Sequence, residues 1–157
     1  MDPKTSEDLG QVLTRVAHRV ERNRKAGATT GVVGRIVKTK SGKKKLIYAN
    51  VGDSRIYLVN GDKATQITQD EGLGHNIWNA LGLDYFEVKQ KGEIELKDGD
   101  RLVFCTDGVT GDTEYDCMTD EEIAEIVSRA KKSKKAARSL IRQAKKIDDR
   151  TAIVVEV

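Results

Sequence analysis

Apolar residues recur at helical spacing near the start of the chain, at Leu9, Val12, Leu13, Val16 and Val20, so residues 5–25 read as a one-sided amphipathic helix. Thr5 with Asp8 three residues on forms a capping box at its start. The opposite face carries Arg15, Arg19, Arg22 and Arg24, as expected of an outer-layer helix covering a sheet. His18 has no evident carboxylate partner and reads as a surface histidine.

From Thr29 the pattern changes to β-branched and small residues. Thr29–Val37 and Leu46–Val51 read as two strands joined by a lysine-rich loop with Ser41-Gly42 at its tip. Gly52-Asp53-Ser54 then breaks an apolar run that resumes at Ile56, which predicts a bend or bulge. A second hairpin turns at Asn60-Gly61-Asp62, and Lys63–Thr68 returns, so this part is an antiparallel meander. His75–Leu81 reads as a short helix with Trp78 as a core anchor. Phe86–Leu96 alternates imperfectly and ends in the turn Lys97-Asp98-Gly99-Asp100. The uninterrupted apolar run Leu102–Cys105 predicts a strand buried on both faces. Thr119-Asp120-Glu121-Glu122 is a capping box for a helix with Ile123, Ile126 and Val127 inward. Ser133 opens another, with Ala136, Ala137, Leu140, Ile141 and Ala144 inward, and Ala152–Val157 is a closing strand. A helix, several strands, two helices and a final strand define an α+β layered chain, read as a single domain over 1–157.

Composition narrows the function classes. The chain has 157 residues, 34% of them charged, a size and surface that suit one globular domain with a real core. No apolar run is long enough to span a bilayer, and the N-terminus is too polar for a secretory signal. Cys105 and Cys117 are too few and too far apart for a disulfide scaffold or a zinc site, which points to a reducing, cytoplasmic setting. The net charge of +3 with scarce aromatics argues against nucleic acid, although lysines cluster at Lys38–Lys45 and Lys131–Lys146.

The residue with most chemistry is Asp107. It ends the buried strand and precedes Gly108, so its carboxylate is rigidly held and its neighbour lets another group approach the backbone. Magnesium and manganese prefer such oxygen ligands. An isolated Asp-Gly is also ordinary turn chemistry, so the surrounding segments must decide.

Those segments stand in a fixed order: Gly27-Ala28-Thr29-Thr30, Ala49 through Leu58 with Gly52-Asp53-Ser54-Arg55 at its centre, Asn79-Ala80-Leu81-Gly82, Gly99 through Thr106-Asp107-Gly108, and Asp148-Asp149-Arg150-Thr151 leading into Ala152–Val155. Over residues 9–157 the chain resembles the metal-dependent protein phosphatases of type 2C. The resemblance implies an antiparallel β-sandwich flanked by helices, with manganese or magnesium in a cleft. There, metal-bound water attacks phosphoserine or phosphothreonine. By position, Asp107 and Asp148 match metal ligands. Asp149 stands where the family has asparagine, adding a carboxylate to the same site. Gly52, Asp53, Ser54, Arg55 and Gly108 match structural positions, because a buried bend needs its polar groups satisfied.

Two parts of the family pattern have no counterpart. One is the N-terminal pair of strands with a phosphate-gripping arginine and a metal-bridging Asp-Gly-x-Gly-Gly. The other is the helical flap after Thr68-Gln69-Asp70. Asp107, Asp148 and Asp149 then supply a single weak magnesium or manganese site rather than a two-metal centre. The leading expectation is a phosphatase 2C-like domain, catalytically impaired, acting as a binding or regulatory module toward a protein partner or phosphoprotein. A missing edge strand would also allow self-association. The alternatives are an active manganese- or magnesium-dependent serine/threonine phosphatase and a basic adaptor using the Lys131–Lys146 face toward an acidic partner.

Overall fold

The computed structural model describes residues 3–23, 27–74 and 76–157. In chain order the elements are α1 (Ser6–Arg22), β1 (Gly31–Lys38), β2 (Lys44–Val51), β3 (Arg55–Asn60), β4 (Lys63–Gln66), β5 (Gly72–Leu73), β6 (Asn76–Ile77), β7 (Gln90–Leu96), β8 (Arg101–Cys105), α2 (Asp107–Thr110), α3 (Asp120–Arg129), α4 (Ser133–Gln143) and β9 (Ala152–Glu156). They form two compact units, one of Met1–Ser54 and Asp70–Lys97, the other of Arg55–Gln69 and Asp98–Val157. All strand pairs are antiparallel, so the expected α+β chain of antiparallel sheets and flanking helices is what is seen.

In the first unit α1 starts at the predicted box: the Thr5 hydroxyl accepts from the Asp8 N–H at 3.1 Å, and Asp8 accepts from the Thr5 N–H at 3.0 Å. The buried stripe of α1 is Leu9, Leu13 and Ala17, packed with Ile47, Ala49, Val51 and Leu81 over the sheet β1-β2-β7. Val16, expected inward, is 39% exposed because the stripe is one residue further round the helix. His18 is on the surface as predicted, but its Nδ1 lies 3.4 Å from Glu21 Oε2. Arg24 lies outside the described residues.

The predicted helix over His75–Leu81 is absent among its described residues. Instead Gly72–Leu73 and Asn76–Ile77 pair as a short two-stranded ribbon that turns at Gly74, whose φ is +56°. His75 lies outside the described residues. Trp78 is not a core anchor: it is 66% exposed. What orders this stretch is polar. Asn79 Nδ2 donates to Glu71 Oε2 and to the Glu87 carbonyl, both at 2.7 Å, while its Oδ1 accepts from the Glu87 N–H at 3.1 Å.

The Gly-Asp-Ser break also lies in this unit as far as Ser54. Gly52 has φ +98°, and a Cβ there would come within 2.5 Å of Thr30 Cγ2, so both torsion and space demand glycine. Its N–H donates to Glu71 Oε2 at 2.9 Å, and Ser54 Oγ is 2.9 Å from Thr30 Oγ1. Asp53 is buried.

The second unit is the sheet β4-β3-β8-β9 with α3 and α4 on one face. Tyr57, Val103, Cys105 and Val109 meet Ile123, Val127, Ala136 and Leu140 in its core. Leu102, Val103 and Cys105 are fully buried as the apolar run predicts, whereas Phe104 is only half-buried. Arg55 is buried, with Nη1 donating to the Tyr57 hydroxyl at 3.4 Å. Arg101 closes the C-terminus of α3, donating from Nη1 to the Val127 and Ala130 carbonyls at 2.6 and 2.5 Å.

The capping box of α3 forms as predicted. Thr119 Oγ1 accepts from the Glu122 N–H at 3.2 Å, and Glu122 Oε2 accepts from the Thr119 N–H at 2.9 Å. That backbone bond, then Lys145, holds the Glu122 carboxyl below its ordinary value. The contribution of this carboxylate is therefore whole above the ordinary glutamate range and is lost as pH falls below it. Thr119→Ala should lower stability by about 1 kcal/mol, read as a shifted denaturant midpoint with unchanged slope.

Candidate functional site

The end of β8 and the start of β9 are tied to each other just before the aspartates of interest. The Thr106 N–H donates to the Thr151 carbonyl and the Thr151 N–H to Thr106 Oγ1, each at 3.1 Å. α2 begins immediately afterwards, so Asp107 projects from its first position and Gly108 backs onto the Asp148-Asp149 loop. The closeness is extreme: a Cβ on Gly108 would overlap the Asp149 carbonyl oxygen and lie 2.9 Å from the carbonyl carbon. Glycine at this position brings the Asp107 and Asp148 segments together, which is the close approach that the Asp-Gly pair implied.

A third carboxylate comes from the turn after α2. Gly111, at φ +74°, redirects the chain, and Asp116 Oδ1 gathers the Asp112 N–H, Thr113 N–H and Thr113 hydroxyl at 3.2, 2.9 and 2.8 Å. Those bonds, the Thr113 hydroxyl first, hold the Asp116 carboxyl below its ordinary value. The turn delivers Asp112, whose side chain is only 8% exposed, to the same place as Asp107 and Asp148.

The group at the centre of the three is Lys146. Its ammonium pairs with Asp107 Oδ2, with Asp148 Oδ2 at 3.0 Å and with Asp112 Oδ2 at 3.2 Å, and its side chain is 5% exposed. Arg150 pins its backbone, donating from Nη2 to the Lys146 carbonyl at 2.5 Å. Burial works against the charge, but the Asp107, Asp148 and Asp112 hydrogen bonds outweigh it and raise the lysine above its ordinary value. Lys146 is therefore a cation at neutral pH. Asp149 contributes differently from the other two predicted ligands. Its side chain is exposed and makes no ion pair among the described residues, while its N–H donates to Asp148 Oδ1 at 2.8 Å.

The arrangement can be tested against a divalent ion. The oxygens such an ion would need are those already held by the ammonium. A dication within about 4 Å of that charge would be repelled by about 8 kcal/mol at an effective dielectric near 20. Magnesium and manganese also require oxygen ligands at about 2.1 Å in near-octahedral order, and an ammonium contributes donors, not acceptors. Among the described residues, no group of three or more His, Cys, Asp or Glu is arranged to hold a metal. The side chains as placed do not fit the metal centre that the phosphatase resemblance implied.

Asp107 and Asp148 are legible in the sequence, whereas Lys146 and Asp112 are not. Lys146 was hidden in the run counted as a basic helix face, but α4 ends at Gln143, and only Lys145 of the last two lysines stays outside, paired with Glu122 at 2.9 Å. The available signal was position: Lys146 follows the last apolar repeat of α4 and stands two residues before Asp148. Asp112 carried none beyond the preceding Gly111.

Antiparallel sheets with flanking helices match the phosphatase 2C-like fold. The chain belongs to the stage II sporulation protein E (SpoIIE) family, whose model matches residues 3–157. Among curated proteins it is 31% identical over 83 residues to "Probable protein phosphatase 2C BIPP2C1" of Oryza sativa subsp. japonica, covering 52% of this chain and 14% of that one. The chain thus spans 14% of the length of the curated relatives it matches. The solved serine/threonine phosphatase PstP/Ppp of Mycobacterium tuberculosis superposes with TM-score 0.72 at 21% identity, over 99% of this chain and 74% of that one. A PstP catalytic domain in complex with two manganese ions superposes with TM-score 0.68 at 23% identity, over 98% and 71%. These structural likenesses establish the fold. No helix among the described residues is long and apolar enough to cross a membrane.

Proposed function

We propose that this is a catalytically impaired phosphatase 2C-like domain, a pseudophosphatase that acts by binding a protein partner or phosphoprotein. One observation carries the reading: the Lys146 ammonium is seated among Asp107, Asp112 and Asp148, the carboxylates that would otherwise face a metal. A fixed monovalent cation balances part of their charge and keeps the fold together. It supplies neither a Lewis acid nor a water made acidic by metal, which are the main sources of rate in metal-assisted phosphate hydrolysis.

The second reading is an active manganese- or magnesium-dependent serine/threonine phosphatase. It draws support from the manganese-bound PstP domain, to which this chain is similar in fold. Calorimetric titration of manganese into the protein, with p-nitrophenyl phosphate hydrolysis measured alongside, separates the two. The expected result is no manganese binding at millimolar concentration and no turnover that Asp107→Asn changes. Tight binding of two manganese ions, with turnover abolished by Asp107→Asn, would establish the active reading instead. A cytoplasmic setting is part of the proposal, and it rests on neither Cys105 nor Cys117 forming a disulfide among the described residues.

A further inference from the structure

The far edge of the second unit combines two features that the carboxylate–lysine cluster does not use. The first is an open strand edge. Among the described residues β9 pairs with β8 alone, in the register Phe104↔Ile153 and Leu102↔Val155. The Thr106 N–H bonds the Thr151 carbonyl at one end and the Val157 N–H bonds the Asp100 carbonyl at the other. That fixes the alternation: Thr151, Ile153, Val155 and Val157 turn their main-chain groups toward β8, and Ala152, Val154 and Glu156 turn theirs outward. No hydrogen bond to those outward groups occurs among the described residues. An edge of this kind is a template for another strand.

The second feature is charge. α4 packs over β9, while α3 lies over β4 and β3. Lys135, Ser139 and Gln143 of α4 line the groove shared with α3. Ala137 and Ile141 therefore stand on the other flank, toward the open edge, with Lys134 and Arg138 beyond them on the outer face of the helix. Lys131, Lys132, Lys134, Lys135, Arg138 and Arg142 are all exposed and make no ion pair among the described residues, in contrast to Lys145 and Lys146. No Asp or Glu occurs between Ala130 and Ile147 to offset them.

We propose that the outer edge of β9, roofed by the cationic flank of α4, docks an extended acidic segment of a protein partner as an added strand of the sheet. The backbone of such a segment meets the outward groups of Ala152, Val154 and Glu156. Its helix-side residues pass under Ala137 and Ile141 to reach Lys134 and Arg138, so carboxylates are favoured there. On the opposite face its side chains meet Ile153, an apolar residue left 56% exposed. Alternation of acidic and apolar residues is the pattern that fits, with the ladder giving affinity and the charges giving selectivity. A second copy of this chain fits less well, since edge-to-edge pairing would bring two cationic flanks together. Nucleic acid offers no ladder of N–H and C=O groups, and this edge has no aromatic platform for bases.

The probe is a blocked decapeptide alternating glutamate with valine and threonine, titrated into the full chain by fluorescence anisotropy. Two further peptides carry N-methyl groups on one or the other set of alternate residues, and a single-stranded DNA 20-mer is run in parallel. One of the two methylated peptides should bind at least tenfold more weakly and the other nearly unchanged, because a strand pairs through alternate residues only. Lys134→Glu with Arg138→Glu should cost at least tenfold, and amide exchange at Ala152, Val154 and Glu156 should slow when peptide is bound. Equal binding of both methylated peptides overturns the proposal, as does absence of binding. So does DNA binding tighter than the peptide through the same two cations, or β9 amides already protected by dimerisation. None of these readouts involves hydrolysis or Lys146, so they are independent of whether the domain is catalytically impaired.

Discussion

Lys146→Ala is expected to make the stability of this protein depend on manganese, which the unaltered chain should not show. Removing the ammonium leaves Asp107, Asp112 and Asp148 facing one another, with side-chain exposures of 24, 8 and 44%. Deleting one partner of a buried ion pair costs about 3–5 kcal/mol, and the partial exposure of Asp107 and Asp148 places this case near the lower end, at about 3 kcal/mol. The same deletion opens a space lined by three carboxylates, which is donor chemistry that manganese and magnesium accept. A ligand that binds only the folded state at a hundred times its Kd restores about 2.7 kcal/mol. The measurement is therefore a denaturation midpoint for both proteins with and without manganese. The midpoint of Lys146→Ala should fall and then recover with metal, while that of the unaltered protein stays put. Lys146→Met is the control, because it removes the charge but fills the space. It should fall without recovering. A full recovery by Lys146→Met, or a manganese response of the unaltered chain as large as that of Lys146→Ala, would refute the idea that the lysine takes the place of a metal.

This cluster also shows where the sequence was legible. The strands, the two capping boxes and the antiparallel hairpins followed from local rules, because each depends on residues within a few positions of one another. Asp107 and Asp148 were legible for another reason: their flanking segments match a family pattern. Lys146 obeys neither rule. Between Lys131 and Lys146 its composition is uniform, and only the turn after Ala144, with Arg150 holding the Lys146 carbonyl, sends this one lysine inward and leaves Lys145 outside. The failure at His75–Leu81 has a similar origin. Residues 75–81 read as a short helix with Trp78 as core anchor, but Gly74, at φ +56°, turns the chain and Asn79 orders the segment through Glu71 and Glu87. Polar contacts of particular side chains decided both outcomes, and the apolar spacing along the chain does not encode them.

Gly108→Ala should destabilise the protein by about 3 kcal/mol, against the direction that helix propensity alone would give. Gly108 sits inside α2 with no positive φ, where alanine is normally preferred by about 1 kcal/mol. The penalty has to come from packing. The added Cβ would overlap the Asp149 carbonyl oxygen, approach its carbon at 2.9 Å and lie 3.3 Å from Asp148 Cβ. The two nearest of these atoms are main chain and the third is a Cβ, so no side chain can rotate away and the 147–150 segment must shift. Overpacking of this kind costs about 1–3 kcal/mol and occasionally more, and here it also draws Asp148 off Lys146. Gly99→Ala is the comparison. Nothing crowds a Cβ at Gly99, but its φ of +89° strains any other residue, for a cost of about 1–2 kcal/mol. Chemical denaturation of both variants should rank Gly108→Ala as the more damaging. An alanine at 108 that is neutral or stabilising would mean that the contact between the Asp107 and Asp148 segments is looser than described, and the three-aspartate arrangement around Lys146 would fall with it.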